Sequence, residues 1–178
     1  MASRSLPTVR IHPRIVPAFF IYLLCCFSCG KEDRVNETDQ LLYTMAKQSA
    51  GFTWYKNSES LLNRSSGSGH SQPYLRTRFN SIAAAILGAD GKVTAGSNFP
   101  VNSLIVKELY DASESLSLYA ILYKQPDHPM ADNKGWVWGY INAGGRVVEP
   151  AANRGSACSS CHSQEGNIDY SLMNKFFP

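Results

Sequence analysis

The stretch GSACSSCHSQ near the end of the chain holds Cys158, Cys161 and His162 in the order C-x-x-C-H. No other feature restricts the fold as much, because whatever surrounds these residues must present two thiols and an imidazole to one partner. Covalent c-type haem attachment gives the spacing a mechanical meaning. Each thiol adds across one vinyl group, the two intervening residues let the sulfurs span both vinyls, and the next residue lies under the iron as an axial nitrogen. A disulfide between Cys158 and Cys161 would close a very small ring and constrain little. A zinc half-site would need a second ligand pair, and His70 and His128 do not offer that spacing. A thioredoxin-like redox pair would follow a strand in a βαβ pattern, whereas this motif follows a loop. Haem attachment is the favoured reading and the disulfide the main alternative.

The front of the chain agrees with it. Arg4, Arg10 and Arg14 precede an apolar run from Ile15 to Phe27, followed by Ser28, Cys29 and Gly30. Such a run is a signal-peptide core and is short for a membrane span. A small residue before Cys29, with Lys31, Glu32 and Asp33 beyond, resembles the lipobox of bacterial lipoproteins. That resemblance implies cleavage after residue 28, lipidation of Cys29, and a protein held on the periplasmic or cell-surface side of a bacterial membrane. An uncleaved anchor is the alternative. The domain reading is a lipoprotein signal peptide over 1–28, a charged tether over 29–36 and one folded domain over 37–178. The 178-residue chain carries 17 Lys+Arg against 14 Asp+Glu. Removing the leader's three arginines leaves 14 of each, so no basic surface for nucleic acid is indicated. Cys25 and Cys26 leave with the leader, and Cys29 would carry lipid, so Cys158 and Cys161 are the thiols that remain. In an exported protein two thiols ordinarily pair, but the adjacent histidine points to the haem instead, which is attached outside the cytoplasm.

Along the domain, Asn36 or Thr38 can cap a helix from about Glu37 to Ser49, with Leu41, Leu42, Met45 and Ala46 at helical spacing. KNSESLLNRSSGSGHSQP reads as a mobile loop. In PYLRTRFN, Tyr74, Arg76 and Arg78 alternate with Leu75, Thr77 and Phe79 as a half-buried strand. Asn80 or Ser81 caps a short helix, SIAAAILG, ended by Gly88, and ADGKVTAGSNFP is turn chemistry. SLIVKELY, LSLYAILYKQP and KGWVWGYIN read as three further strands. The first puts Ile105, Lys107 and Leu109 on one face, and the last puts Trp136, Trp138 and Tyr140 on one side. Gly144 and Gly145 turn the chain toward the cysteines. The predicted fold class is mostly β (α+β): an antiparallel sheet with an N-terminal helix and short edge helices.

FPVNSLIVKELY, YAILYK, GWVWGYI, ACSSCHS and DYSLMNKFFP, in this order, resemble the cytochrome P-460 family, which includes the c-prime-beta cytochromes. The likeness runs from about His70 to the end. It implies one haem c in a β-sheet pocket, often in a homodimer, bound through Cys158 and Cys161, with His162 as metal ligand and the iron five-coordinate. It further implies that Lys107 corresponds to the strand lysine that bonds to the haem edge in P-460 members. Lys107 interrupts the apolar pair Ile105 and Leu109 and points inward with them, where a desolvated amine loses its proton readily. The alternatives are a lysine that snorkels from the sheet edge or one that faces the pocket without reacting. Hydroxylamine-oxidising members carry a distal carboxylate on the strand matching YAILYKQP. This chain has Tyr123 and Lys124 there, which leaves Tyr123 or a distant Glu to take protons. Arg76 matches a distal arginine of the family, with an exposed strand arginine as the alternative.

His70, His128, Met130 and Met173 are the possible sixth ligands, and none is favoured: His70 reads as a hydrogen-bonding histidine, His128 and Met130 as loop residues, and Met173 with Phe176 and Phe177 as C-terminal packing. Trp136, Trp138 and Tyr140 are a core stripe first and a haem-contact surface second. The leading expectation is a lipid-anchored mono-haem protein that binds small nitrogen oxides or hydroxylamine at an open iron, with redox conversion and a redox partner protein as extensions. The alternatives are a six-coordinate electron carrier and a module that binds nitric oxide or carbon monoxide without turnover.

Overall fold

The computed structural model describes residues 37–178. The leader, the tether and Cys29 lie outside the described residues. A seven-stranded antiparallel sheet forms the frame, in the order β1 (Thr53–Trp54), β3 (Tyr74–Phe79), β4 (Leu104–Tyr110), β5 (Leu116–Lys124), β6 (Trp136–Asn142) and β7 (Val147–Glu149). The short β2 (Leu62–Asn63) pairs with β3 beside β1. The mostly β architecture with an N-terminal helix and short edge helices is as expected.

Both faces of the sheet are covered, and side chains alternate between them. One face carries Leu75, Phe79, Ile105, Leu109, Leu118, Leu122, Trp136 and Trp138, packed with Met173 and Tyr170 from the C-terminal segment. The other carries Leu104, Val106, Tyr119, Ile121, Val137 and Ile141, packed against helix α1 (Glu37–Ala46). Each such buried side chain contributes roughly 1.5–3 kcal/mol.

Helix α1 turns Asp39, Leu42 and Ala46 inward, while Leu41 is exposed. The helix therefore sits on a narrower stripe than Leu41, Leu42, Met45 and Ala46 suggested, and it ends at Ala46, short of Ser49. At that end the Arg78 guanidinium donates to the Ala46 carbonyl, taking up a group the helix leaves unpaired. Asp39 accepts from the Ala151 amide at 2.8 Å. Burial nevertheless pushes its carboxyl above the usual range, with the Ala151 bond acting in the opposite direction.

Asn80 is the cap expected of SIAAAILG: its Oδ1 accepts from the Ala83 amide at 2.9 Å and from the Leu104 amide at 3.0 Å. The helix it starts, α2 (Ser81–Ala84), makes one turn and stops well before Gly88. Leu87 bridges to Val93 instead, which draws the chain out of the helix.

Arg78 is the main departure in β3. It is 1 % exposed, not on a half-open face. It ion-pairs with Glu108, which also accepts from Arg76 Nε and, at 2.6 Å, from the Tyr110 hydroxyl. Arg76 lies over the Trp54 ring at 4.4 Å and the Tyr110 ring at 5.4 Å.

Candidate functional site

The cavity lies against the first face of the sheet. It encloses about 290 Å³, at the lower edge of ligand-binding clefts (~300–1,000 Å³). Its floor is a row across the sheet in which Thr77, Lys107, Ala120 and Tyr140 face one another. Ile105, Leu122 and Trp138 flank that row, and Leu172, Met173, Phe176 and Phe177 close the cavity from the C-terminal side. Cys158, Cys161 and His162 line the same cavity. The motif and Lys107 are therefore brought together although about fifty residues separate them in the chain.

Local structure explains how the motif is presented. Gly155, at φ +67°, packs so closely on Trp138 that a Cβ there would overlap the indole. Its carbonyl accepts from the amides of Cys158 and Ser159, starting the single turn α3 (Ser159–His162). Cys158 faces inward and Cys161 lies at the exposed lip, and both are free thiols. Burial, with the charges of Glu149 and Cys161 adding to it, holds the Cys158 thiol above its usual range.

His162 is fixed from two sides. Its ring meets Trp138 edge-on, with centroids 5.0 Å apart, and its Nδ1 lies 2.6 Å from the Tyr170 carbonyl oxygen. A carbonyl can only accept, so Nδ1 carries the proton and Nε2 keeps its lone pair. Burial first, and the nearby Lys107 charge second, lower the pKa of His162 to about 4, while the Tyr170 bond opposes them. The ring is neutral at neutral pH. A neutral imidazole with one nitrogen tied to a backbone carbonyl and the other free is the form that ligates metals.

The Tyr170 carbonyl belongs to a tight turn. Ile168 and Ser171 exchange backbone hydrogen bonds of 2.9 and 2.8 Å, and Asp169 and Tyr170 between them sit at φ +43° and +67°. This is the geometry of a type I′ turn, for which Asn-Gly is the usual pair. Each such left-handed residue costs roughly 1–2 kcal/mol, so something must hold the turn. The Asp169 carboxylate accepts from the Phe99 amide at 2.9 Å, from Lys124 Nζ at 3.0 and 3.1 Å, and from Trp136 Nε1 at 3.3 Å.

Lys107 points into the cavity as expected, and burial lowers its pKa to about 8. His70 also lines the cavity, stacked on Tyr140 with Nδ1 3.4 Å from the phenol oxygen. Burial, then the charges of Lys107 and His162, lower its pKa to about 3. The hydrogen-bonding role read for His70 holds, but the segment around it is part of the wall: Gly67, Ser68 and Gly69 line the cavity too. A Cβ at Gly67 would press on the Phe176 ring.

Tyr123 and Arg76 do not line this cavity. Ala120 and Leu122 of β5 face the cavity, so Tyr123 faces away, 3.3 Å from Asn102 Oδ1 and bonded to Gln125. Thr77 faces the cavity, so Arg76 is on the opposite side with Glu108. His128 and Met130 do not line the cavity, and Met130 packs near the α1 side. Met173 does line it, buried and accepting from the Thr77 hydroxyl at 3.2 Å, as a packing residue. Glu149, which no sequence signal singled out, supplies a carboxylate to the lining.

These residues fit a covalently held haem. Two unpaired thiols and a neutral imidazole converge on an apolar cavity, and that imidazole's outer nitrogen is already engaged. Among the described residues no group of three or more His, Cys, Asp and Glu is placed to hold a metal ion by itself. Comparison with protein families, with curated proteins and with solved structures gives no match.

Proposed function

We propose that this chain is an exported c-type mono-haem protein of the cytochrome P-460 kind, lipid-anchored through Cys29, that binds small nitrogen oxides or hydroxylamine at an open iron. The observation that carries the reading is the convergence of Cys158, Cys161 and His162 on one apolar cavity, with His162 Nδ1 bonded to the Tyr170 carbonyl. When bound, the haem supplies an iron that coordinates such ligands and exchanges electrons with them. The chain's own residues do the rest. The thiols fix the group, His162 offers Nε2, and Leu172, Phe176 and Phe177 exclude water. Lys107, Tyr140, His70 and Glu149 are the polar groups that could orient a ligand or accept its proton. With Tyr123 and Arg76 on the other face, proton transfer in any redox conversion falls to this set. A redox partner protein and a homodimer belong to the same proposal.

A second reading, the six-coordinate electron carrier, draws on His70, whose imidazole lines the cavity. The two are separated by the ferric absorption spectrum of holoprotein made with haem-attachment machinery. A high-spin spectrum that moves on adding nitric oxide supports the open site, and a low-spin spectrum that ignores it supports the carrier. Intact mass and a pyridine haemochrome assay test the shared premise. Cys158→Ala and Cys161→Ala should each leave one thioether, and the double variant none. A wild-type mass without added haem overturns both readings. Cys29→Ala should release the protein from membranes, and continued lipid labelling of that variant rejects the anchor.

A further inference from the structure

The Asp169 carboxylate touches neither the cavity nor the cysteine motif, yet four donor contacts from three separate segments converge on it. Its side chain is 5 % exposed, as is expected of a carboxylate matched by a buried lysine. What this anchor secures is a two-residue turn in left-handed backbone, which Tyr170 does not adopt readily, though an Asp can. Among the described residues, the one carbonyl of that turn that bonds to a side chain is that of Tyr170, and the side chain is His162. The Tyr170 ring then stacks edge-on against Trp138, which itself meets the His162 ring edge-on. One anchored turn thus controls the imidazole through a hydrogen bond and through a shared aromatic contact.

We propose that Asp169 is a positioning residue: by pinning the Ile168–Ser171 turn to the sheet, it holds the Tyr170 carbonyl on His162 Nδ1 and so sets the orientation and donor strength of Nε2 toward the metal. The inference rests on the haem reading above. A short hydrogen bond from Nδ1 raises the basicity of the ligating nitrogen and favours the ferric iron. Loosening the turn weakens that bond and moves the reduction potential upward.

The test uses full-length holoprotein. Asp169→Asn removes the charge facing Lys124 and keeps one acceptor oxygen, enough for Phe99 or for Trp136 but not for both, because the two donors meet different carboxylate oxygens. Its expected result is unchanged haem content, a midpoint potential displaced to positive values, and a ferrous iron–histidine stretching band at lower frequency. The ferrous-to-ferric ratio at fixed poise should change roughly tenfold, equivalent to ~59 mV for one electron. Trp136→Phe removes one contact to the carboxylate and keeps an aromatic ring at this buried position, at the cost of some packing, and should move both readouts the same way by less. It also carries the test if Asp169→Asn does not fold. Leu42→Ala, on the other face of the sheet, controls for lost stability and should move neither. If the Asp169 and Trp136 variants lower the melting temperature as Leu42→Ala does but leave potential and band in place, Asp169 only stabilises the fold and the proposal falls. If the wild type carries no covalent haem, the underlying reading falls first and takes this one with it.

Discussion

Lys107 and Tyr140 stand in one row across the sheet with only Ala120 between them. The small side chain of Ala120 leaves the floor of the cavity open between an amine and a phenol, and a larger residue there would fill the space. Ala120→Phe should therefore keep the sheet and lose the cavity. The expected outcome is a native-like circular dichroism spectrum with a several-fold lower fraction of chains carrying covalent haem. Full haem loading in that variant would show that the group sits elsewhere.

Lys107 is the amine best placed to react with a group in the cavity, since burial brings its pKa down to about 8. A part of the population is thus uncharged and nucleophilic near neutral pH. Lys107→Ala should shift the absorption of the reduced holoprotein markedly if the lysine is bonded to the haem edge. A spectrum matching the wild type would reject the crosslink while leaving the thioethers untouched.

Glu108 lies behind the cavity floor, holding Arg76, Arg78 and the Tyr110 hydroxyl together. Glu108→Gln leaves the buried Arg78 guanidinium without its counter-charge, a change that costs about 3–5 kcal/mol in comparable settings. Denaturant melts should show that loss. The haem spectrum should stay as in the wild type, because the side chain faces away from the cavity. A spectral change would mean that the two faces are coupled.

Asp39 has a raised carboxyl pKa because burial disfavours its charge. A raised folded-state value means that the carboxyl contributes most at low pH and that its contribution is lost as pH rises through the folded pKa. Asp39→Asn keeps an acceptor for the Ala151 amide and removes the buried charge. Its melting temperature should exceed that of the wild type at neutral pH, and the gap should close on acidification. A gap that is constant with pH would place the effect elsewhere.

The strands from β3 to β6 were legible because each is long enough to show alternation, and the Asn80 cap was legible because its signal is local. β1, β2 and β7 have two or three residues each and show no period; pairing with longer neighbours creates them. Arg78 shares its face with Arg76, but only the pairing of Arg78 and Arg76 beside Glu108 reveals a buried ion pair where a solvated stripe was expected. Tyr123 and Arg76 were drawn to the site by the resemblance alone, although alternation separates each from Ala120 or Thr77. Cys158, Cys161 and His162 stand out in the sequence by their spacing and Lys107 by its inward direction, and all four line the cavity. Gly67 to His70 were not, since a Ser/Gly cluster reads as mobile until Phe176 and Tyr140 are known to lie beside it. Asp169 opens the DYSLMNKFFP stretch, but its role was not legible there, as its partners come from segments that only the folded chain unites.

Lys107 and Glu108 are neighbours on β4, yet one faces the cavity and the other the buried arginines. Were β4 to slip by a single position against β3, the carboxylate would enter the apolar chamber and the amine would meet two guanidinium groups, leaving like charges in contact on one side and an unmatched anion on the other. That penalty makes the alignment of this one strand self-correcting, and it keeps a lysine, not an acid, at the centre of the chamber.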